Sequence, residues 1–229
     1  VPTVTEPRTT RIEVHPAGDT VRTRMRTGVL SPRITHQQGH RLSITLVATE
    51  ALLLGGDHVV LEVVVGEGVR LDLTDVAATV AYDGQGHSAR WTTRLTVASG
   101  ASLHWWGEPL VVCDGAIVHR SLHAAVAEGG ELLMRDAVRL GRHGEHGGEL
   151  HCETLIEHAA RPAVVEHLVL DDSHRDLPGY LGEHRTIDTV TIVGRRPSPA
   201  TAIFELAAPG AIHRTYESPR RRGVFACWQ

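Results

Sequence analysis

At 229 residues the chain is long enough for one large domain or two small ones with a substantial core. Hydrophobic residues make up 41% and charged residues 22%, which excludes wholesale disorder, and a net charge of -4 excludes the strongly basic balance of a nucleic-acid binder. The longest apolar runs, such as Ala51 to Leu54 and Val63 to Val65, are far too short to span a bilayer, and Val1 to Arg11 holds no continuous apolar segment of the secretory kind. Every one of the 23 basic residues is Arg, so no lysine is available for a Schiff base or a Walker motif. The three Cys (Cys113, Cys152 and Cys227) are odd in number, widely spaced and without a CxxC pair. That usage fits a reducing cytoplasm better than a disulfide scaffold or a zinc ribbon.

In chain order the predicted elements are strands. Leu52-Leu53-Leu54-Gly55-Gly56-Asp57 reads as a tight turn with an acid at its corner, since it lacks the Lys and the Ser/Thr of a phosphate loop. The β-branched run Val59 to Val65 follows, and then Val69, Leu71 and Leu73 alternate with Arg70 and Asp72. Leu95 and Val97, then Ala101, Leu103 and Trp105, repeat this period of two. Trp105-Trp106 is expected to place one ring inward and one outward. Ile187 to Val193 and Ala202 to Leu206 complete the strand predictions. No stretch before residue 120 makes an amphipathic helix, and the best helix candidate is the polar stretch Asp171 to Gly182, broken by Pro178.

An internal repeat emerges on self-comparison. Val65-Gly66-Glu67-Gly68-Val69-Arg70-Leu71 resembles Val97-Ala98-Ser99-Gly100-Ala101-Ser102-Leu103, and both resemble Val126-Ala127-Glu128-Gly129-Gly130-Glu131-Leu132. Leu206-Ala207-Ala208-Pro209-Gly210-Ala211-Ile212 is a candidate fourth copy. Each copy reads strand, glycine corner, strand, with the glycine supplying a positive φ and the next apolar residue returning to the core. Units that cannot bury their own apolar face must stack, which predicts a right-handed β-helix-like or layered β-solenoid. A plain β-sandwich with similar hairpins is the alternative.

Chemistry-bearing motifs are few. The loop Gly141 to Glu149 carries His143, Glu145, His146 and Glu149, with His151 just beyond, and imidazole suits nickel and zinc. Its spacing matches neither HExxH nor a zinc finger. No GxSxG elbow is present, and Cys113 beside Asp114 reads as a small buried thiol. Arg220-Arg221-Arg222 reads as a solvated terminal run.

Five segments in order nevertheless resemble one family. They are LLLGGD (Leu52 to Asp57), VGEGVRLDLTDVAATVAY (Val65 to Tyr82), LTVASGASLHWWGEPLVVCDGA (Leu95 to Ala116), LLMRDAVRLGRHGEHGGEL (Leu132 to Leu150) and RPAVVEHLVL (Arg161 to Leu170). In order and spacing they are similar to the urease accessory protein UreD (UreH) family, of actinobacterial type, across residues 25 to 215. The resemblance implies one UreD-like domain over residues 1–229, mainly β with about two short helices. It implies a cytoplasmic, non-enzymatic scaffold that joins UreF and the GTPase UreG to urease apoprotein. Nickel, bound transiently and weakly, is the implied cargo; no organic cofactor, nucleic acid or membrane is expected.

Residue by residue, the resemblance carries a metal-path role to Asp57, Asp136 and Glu166, and less firmly to Glu108 and Asp114. His143 and His146 join these from the loop. The chain departs from the family in having Arg135 before Asp136 and Cys113 where an aromatic is usual. An arginine beside a cation path weakens it unless it points away or pairs with a carboxylate. Two rival functions are a β-helix or cupin-like carbohydrate-active enzyme and a His-rich metal buffer.

Overall fold

The computed structural model describes residues 6–177, 180–197 and 204–216. Among them the strands in chain order are β1 (Arg8–Ala17), β2 (Thr20–Arg26), β3 (Leu30–Gln38), β4 (Arg41–Ala48), β5 (His58–Val65), β6 (Arg70–Asp75), β7 (Thr79–Ala81), β8 (Ala89–Val97) and β9 (Ser102–Trp106). They continue with β10 (Leu110–Val112), β11 (Ile117–Val126), β12 (Glu131–Leu140), β13 (Glu149–His158), β14 (Arg161–Leu170), β15 (Thr186–Val193), β16 (Phe204–Glu205) and β17 (Gly210–Thr215). The first sheet runs β14-β13-β11-β8-β5-β1-β2, and the second runs β16-β17-β15-β12-β9-β6-β4-β3. The short β7 and β10 pair in parallel, and β10 also pairs with β12.

The chain coils. It passes from the first sheet to the second and back, so β5, β8, β11 and β13 stack in parallel, as do β4, β6, β9 and β12. This is a β-solenoid, and the parallel stacking overturns the sandwich alternative. Antiparallel strands close its ends: β2 and β3 at one, and β14, β15 and β17 at the other.

The repeat seen in the sequence is the coil itself. Val65, Val97 and Val126 lie in register in the first sheet, and Leu71, Leu103 and Leu132 in the second. Their corner glycines have φ of +68° (Gly68), +65° (Gly100) and +74° (Gly129). The corners also hydrogen-bond to one another, Gly68 N–H to Ser99 O at 3.4 Å and Gly100 N–H to Gly129 O at 3.1 Å. Gly210 breaks the pattern: it opens β17, which pairs antiparallel with β15, and it has no positive φ. A Cβ there would lie 2.4 Å from the Ile192 carbonyl oxygen, so close backbone approach explains this glycine and the fourth copy is not a coil.

Between the sheets the inward residues form a dry core. Leu61, Leu71, Leu95, Leu103 and Leu132 are fully buried, as alternation in each strand demands. Trp105 is buried while Trp106 lies half-buried on the opposite face of β9. The expected short helices are absent among the described residues. The described part of the stretch, residues 171–177 and 180–182, forms turns, and the first is capped by Asp171, whose carboxylate accepts from the N–H groups of Ser173 and His174. One such turn does not propagate where Pro178, itself outside the described residues, has no N–H to contribute. The strand expected over Ala202 to Leu206 is seen as Phe204–Glu205, with Ala202 and Ile203 outside the described residues. The Arg220–Arg222 run and Cys227 also lie outside them.

Candidate functional site

At the β13–β14 end of the solenoid the dry core gives way to charge. The cause is readable strand by strand. On β11 the inward face carries Val118, Arg120, Leu122 and Ala124; on β12 it carries Leu132, Met134, Asp136 and Val138. On β13 Leu150, Cys152 and Ile156 share a face, and on β14 Val164, Glu166, Leu168 and Leu170 do. Four polar or ionisable side chains thus enter a space that their neighbours fill with hydrocarbon. Burying them requires partners.

Each charged group has one. Arg120 Nη1 donates to Asp136 Oδ1 at 2.6 Å, across the gap between the two sheets. Arg214, from β17, donates to Glu166 through Nη1 and Nη2 at 2.7 and 2.8 Å, and its Nε reaches Thr189 Oγ1 at 3.1 Å. Burial works against the Arg120 charge, but Asp136, Cys152 and Asp75 together outweigh it and raise the guanidinium pKa. The Cys152 thiol, in register beside Arg120, is pushed up to about 12 by burial and is therefore inert as a nucleophile. Asp136 and Arg214 flank Thr189 in register on either side of β15, so the Arg214 that holds Glu166 brings that carboxylate into the neighbourhood of Asp136.

A cavity of about 30 Å³, room for one water-sized occupant, adjoins this cluster. Asp75, Glu108, Arg120 and Asp136 line it together with Trp91, Trp105 and Met134. Asp75 closes β6, and its carboxyl accepts from Trp105 Nε1 at 3.4 Å and from Glu108 N–H at 3.1 Å. Burial pushes its pKa up to about 6, with these two hydrogen bonds opposing the shift. A second cavity of about 240 Å³, lined mainly by Leu30, Leu46, Leu52, Val76 and Tyr82, lies beyond; Asp75, Thr79 and Trp91 line both.

Arg135, flagged as a hazard to a cation path, points away from Asp136. It is 6% exposed on the opposite face of β12, where Nε and Nη2 grip Asp188 at 2.6 to 3.1 Å and Nη1 donates to Gly107 O at 2.8 Å. Its guanidinium lies 4.8 Å from the centre of the Trp106 ring.

The remaining expected positions are scattered. Asp57 secures its turn by accepting from Leu54 N–H at 3.0 Å and takes Arg8 Nη2 at 3.0 Å; it is not among the residues lining the Asp75 cavity. Asp114 accepts from Gly147 N–H at 2.6 Å and so anchors the Gly141–Glu149 loop. On that loop Glu145 is occupied by Arg142, whose hydrogen bonds draw its pKa down to about 2, while His143 and His146 are exposed. His151 lies elsewhere, on β13, stacked on His119 with ring centres 4.8 Å apart. Among the described residues no three His, Cys, Asp or Glu side chains converge as a metal cage. Of the expected carboxylates the fold brings Asp136 and Glu108 to one cavity and Glu166 near Asp136, and adds Asp75, Arg120, Cys152 and Arg214, which sequence reading missed. Arg120 was detectable as a charge on the apolar face of Val118, Leu122 and Ala124.

A family model described as UreD urease accessory protein matches residues 10–226. A protein named urease accessory protein UreD 1 from Streptomyces griseus is 43% identical over 185 residues, covering 80% of this chain and 72% of the relative. Proteins named urease accessory protein UreD from Streptomyces avermitilis and Streptomyces coelicolor are 32% and 31% identical, covering 79% and 81% of this chain and 75% and 78% of theirs.

Proposed function

The chain belongs to the UreD urease accessory protein family, and from that premise we propose that it works in the cytoplasm as a scaffold without turnover of its own, holding UreF and UreG against urease apoprotein and passing Ni²⁺ through its interior. GTP hydrolysis belongs to UreG, since this sequence has no phosphate loop. The observation that supports the nickel reading is the set Asp75, Glu108 and Asp136 around one small cavity in an otherwise apolar solenoid, with Glu166, a third exposed, on the neighbouring strand β14. Carboxylate oxygens suit a hard or borderline divalent ion. A conduit must also hold its ion weakly. Here Asp136 and Glu166 are each neutralised by a guanidinium that an arriving cation has to displace. Displacement costs part of the binding energy, so the ion is passed on rather than stored.

The rival functions find less support. Family membership gives the carbohydrate-enzyme reading no footing, and a metal buffer would need a preformed cage, whereas His143 and His146 are exposed and do not join a third ligand. The test is reconstitution: this chain with UreF, UreG, urease apoprotein and nickel. A stable complex and urease activation that depends on this chain are expected. Activation that proceeds equally well without it overturns the proposal.

A further inference from the structure

On the outward face of the second sheet, apart from the interior ion pairs, the coil corners align a different set of charges. Arg41, just after the β3–β4 hairpin turn, and Arg70, Ser102 and Glu131, just after the three coil corners, fall in one register row across β4, β6, β9 and β12. The next outward row is Ser43, Asp72, His104 and Leu133. Arg195, two residues past β15, reaches over to Glu131 at 3.0 Å. Together Arg41, Arg70, Ser102, His104, Glu131 and Arg195 line a shallow pocket of about 380 Å³.

We propose that this pocket binds a small oxyanion of the phosphate class. The charge count comes first: three permanent guanidinium charges face two carboxylates, a local positive excess on a chain of net charge -4. Both carboxylates are committed to bracing the cations. Asp72 accepts from Arg41 at 3.1 Å and from Arg70 at 3.2 Å, and Glu131 accepts from Arg195 and from His104 Nε2 at 3.2 Å. Arg70 Nη2 in turn donates to His104 Nδ1 at 3.2 Å, which fits the tautomer whose Nε2–H points at Glu131. A guanidinium carries five N–H donors. The contacts to Asp72 and His104 take two from Arg41 and two from Arg70, so each retains donors for a further acceptor. Guanidinium donors fixed by neighbouring carboxylates, with the Ser102 hydroxyl between them, suit the several acceptor oxygens of a phosphate better than a cation or an apolar ligand.

The experiment titrates the full chain with inorganic phosphate at constant ionic strength held by sodium chloride. Readouts are the thermal midpoint and the ³¹P line width. A saturable rise and saturable broadening are expected, with affinity at least ten-fold weaker in Arg70→Gln and Arg41→Gln and unchanged in Arg90→Gln, an exposed position at the start of β8 in the other sheet. Both test arginines are partly exposed, at 37% and 53%, so their replacement leaves the core untouched. A response that follows ionic strength alone, or that survives in both variants, overturns the site. An equal response to acetate overturns its assignment to phosphate.

Discussion

Arg120 on β11 and Asp136 on β12 join the two sheets of the solenoid through a single 2.6 Å ion pair set among apolar neighbours. The pair is asymmetric, with the arginine side chain 13% exposed and the aspartate 32%. Removing the carboxylate therefore orphans the more buried partner.

Asp136→Ala accordingly reports on folding as well as on any cargo. A lost hydrogen bond between charged, partly buried groups costs about 1.5–3 kcal/mol. Urea unfolding of Asp136→Ala should show a loss of that size, and Arg120→Met combined with Asp136→Ala should recover part of it, because no buried charge is then left alone. A double variant no more stable than the single one contradicts the ion-pair account.

Glu166→Gln separates cargo from fold more cleanly. The amide keeps one acceptor oxygen for Arg214 and loses the negative charge. Urease activation in the reconstituted system should fall roughly ten-fold, the lower end of what altering a metal ligand's immediate surroundings costs. Complex formation with the maturation partners should stay close to that of the unsubstituted chain, and the thermal midpoint should fall less than in Asp136→Ala, since Arg214 keeps one acceptor oxygen and Thr189. Full activation by this variant removes Glu166 from the nickel path and leaves the scaffold role standing.

Asp75 makes stability depend on pH in a stated direction. Its folded pKa is raised from 3.8 to about 6. The folded state thus binds this proton more tightly than the unfolded state. The stabilisation is complete below about pH 4 and is lost as pH rises through about 6. Asp75→Asn should remove that dependence. Relative to the unsubstituted chain it should gain up to about 3 kcal/mol between pH 4 and pH 7, since about two pKa units are involved. Glu131 runs the other way. Burial acts to raise its pKa, but hydrogen bonds from His104 and Arg195 outweigh this and lower it, so comparison with Asp75→Asn at each pH is what isolates Asp75. A constant difference across the range would show that Asp75 does not titrate there.

Gly100→Ala tests the coil corner. The φ of +65° costs an L-residue about 1–2 kcal/mol, and no steric contact within 3.4 Å adds to it. Its midpoint should drop by a few degrees. Leu103→Ala, fully buried in the same coil, should cost more, about 2–5 kcal/mol. Equal effects would place the corner, rather than the core, in control of the fold.

Much of the architecture was legible because a solenoid repeats itself. Gly68, Gly100 and Gly129 mark corners that the chain must turn in the same way each time, and Leu71, Leu103 and Leu132 mark the core column those corners create. Gly210 misled because a glycine chosen for close approach to the Ile192 carbonyl looks, in sequence, like one chosen for positive φ. The stretch after Asp171 misled because a capped first turn begins like a helix without continuing as one.

The interior charges divide along the same line. Period-two alternation within β11, β12 and β14 determined that Arg120, Asp136 and Glu166 face inward, since a strand must send alternate side chains to the same side. Which charge meets which was decided only by the tertiary structure. Arg120 and Asp136 are 16 residues apart in sequence, Glu166 and Arg214 are 48 apart, and Arg135 turns to Asp188 across 53. These pairings depend on which coil stacks over which and on how the antiparallel strands close the end. That is set by burial summed over the whole core, and no local pattern of residues encodes it.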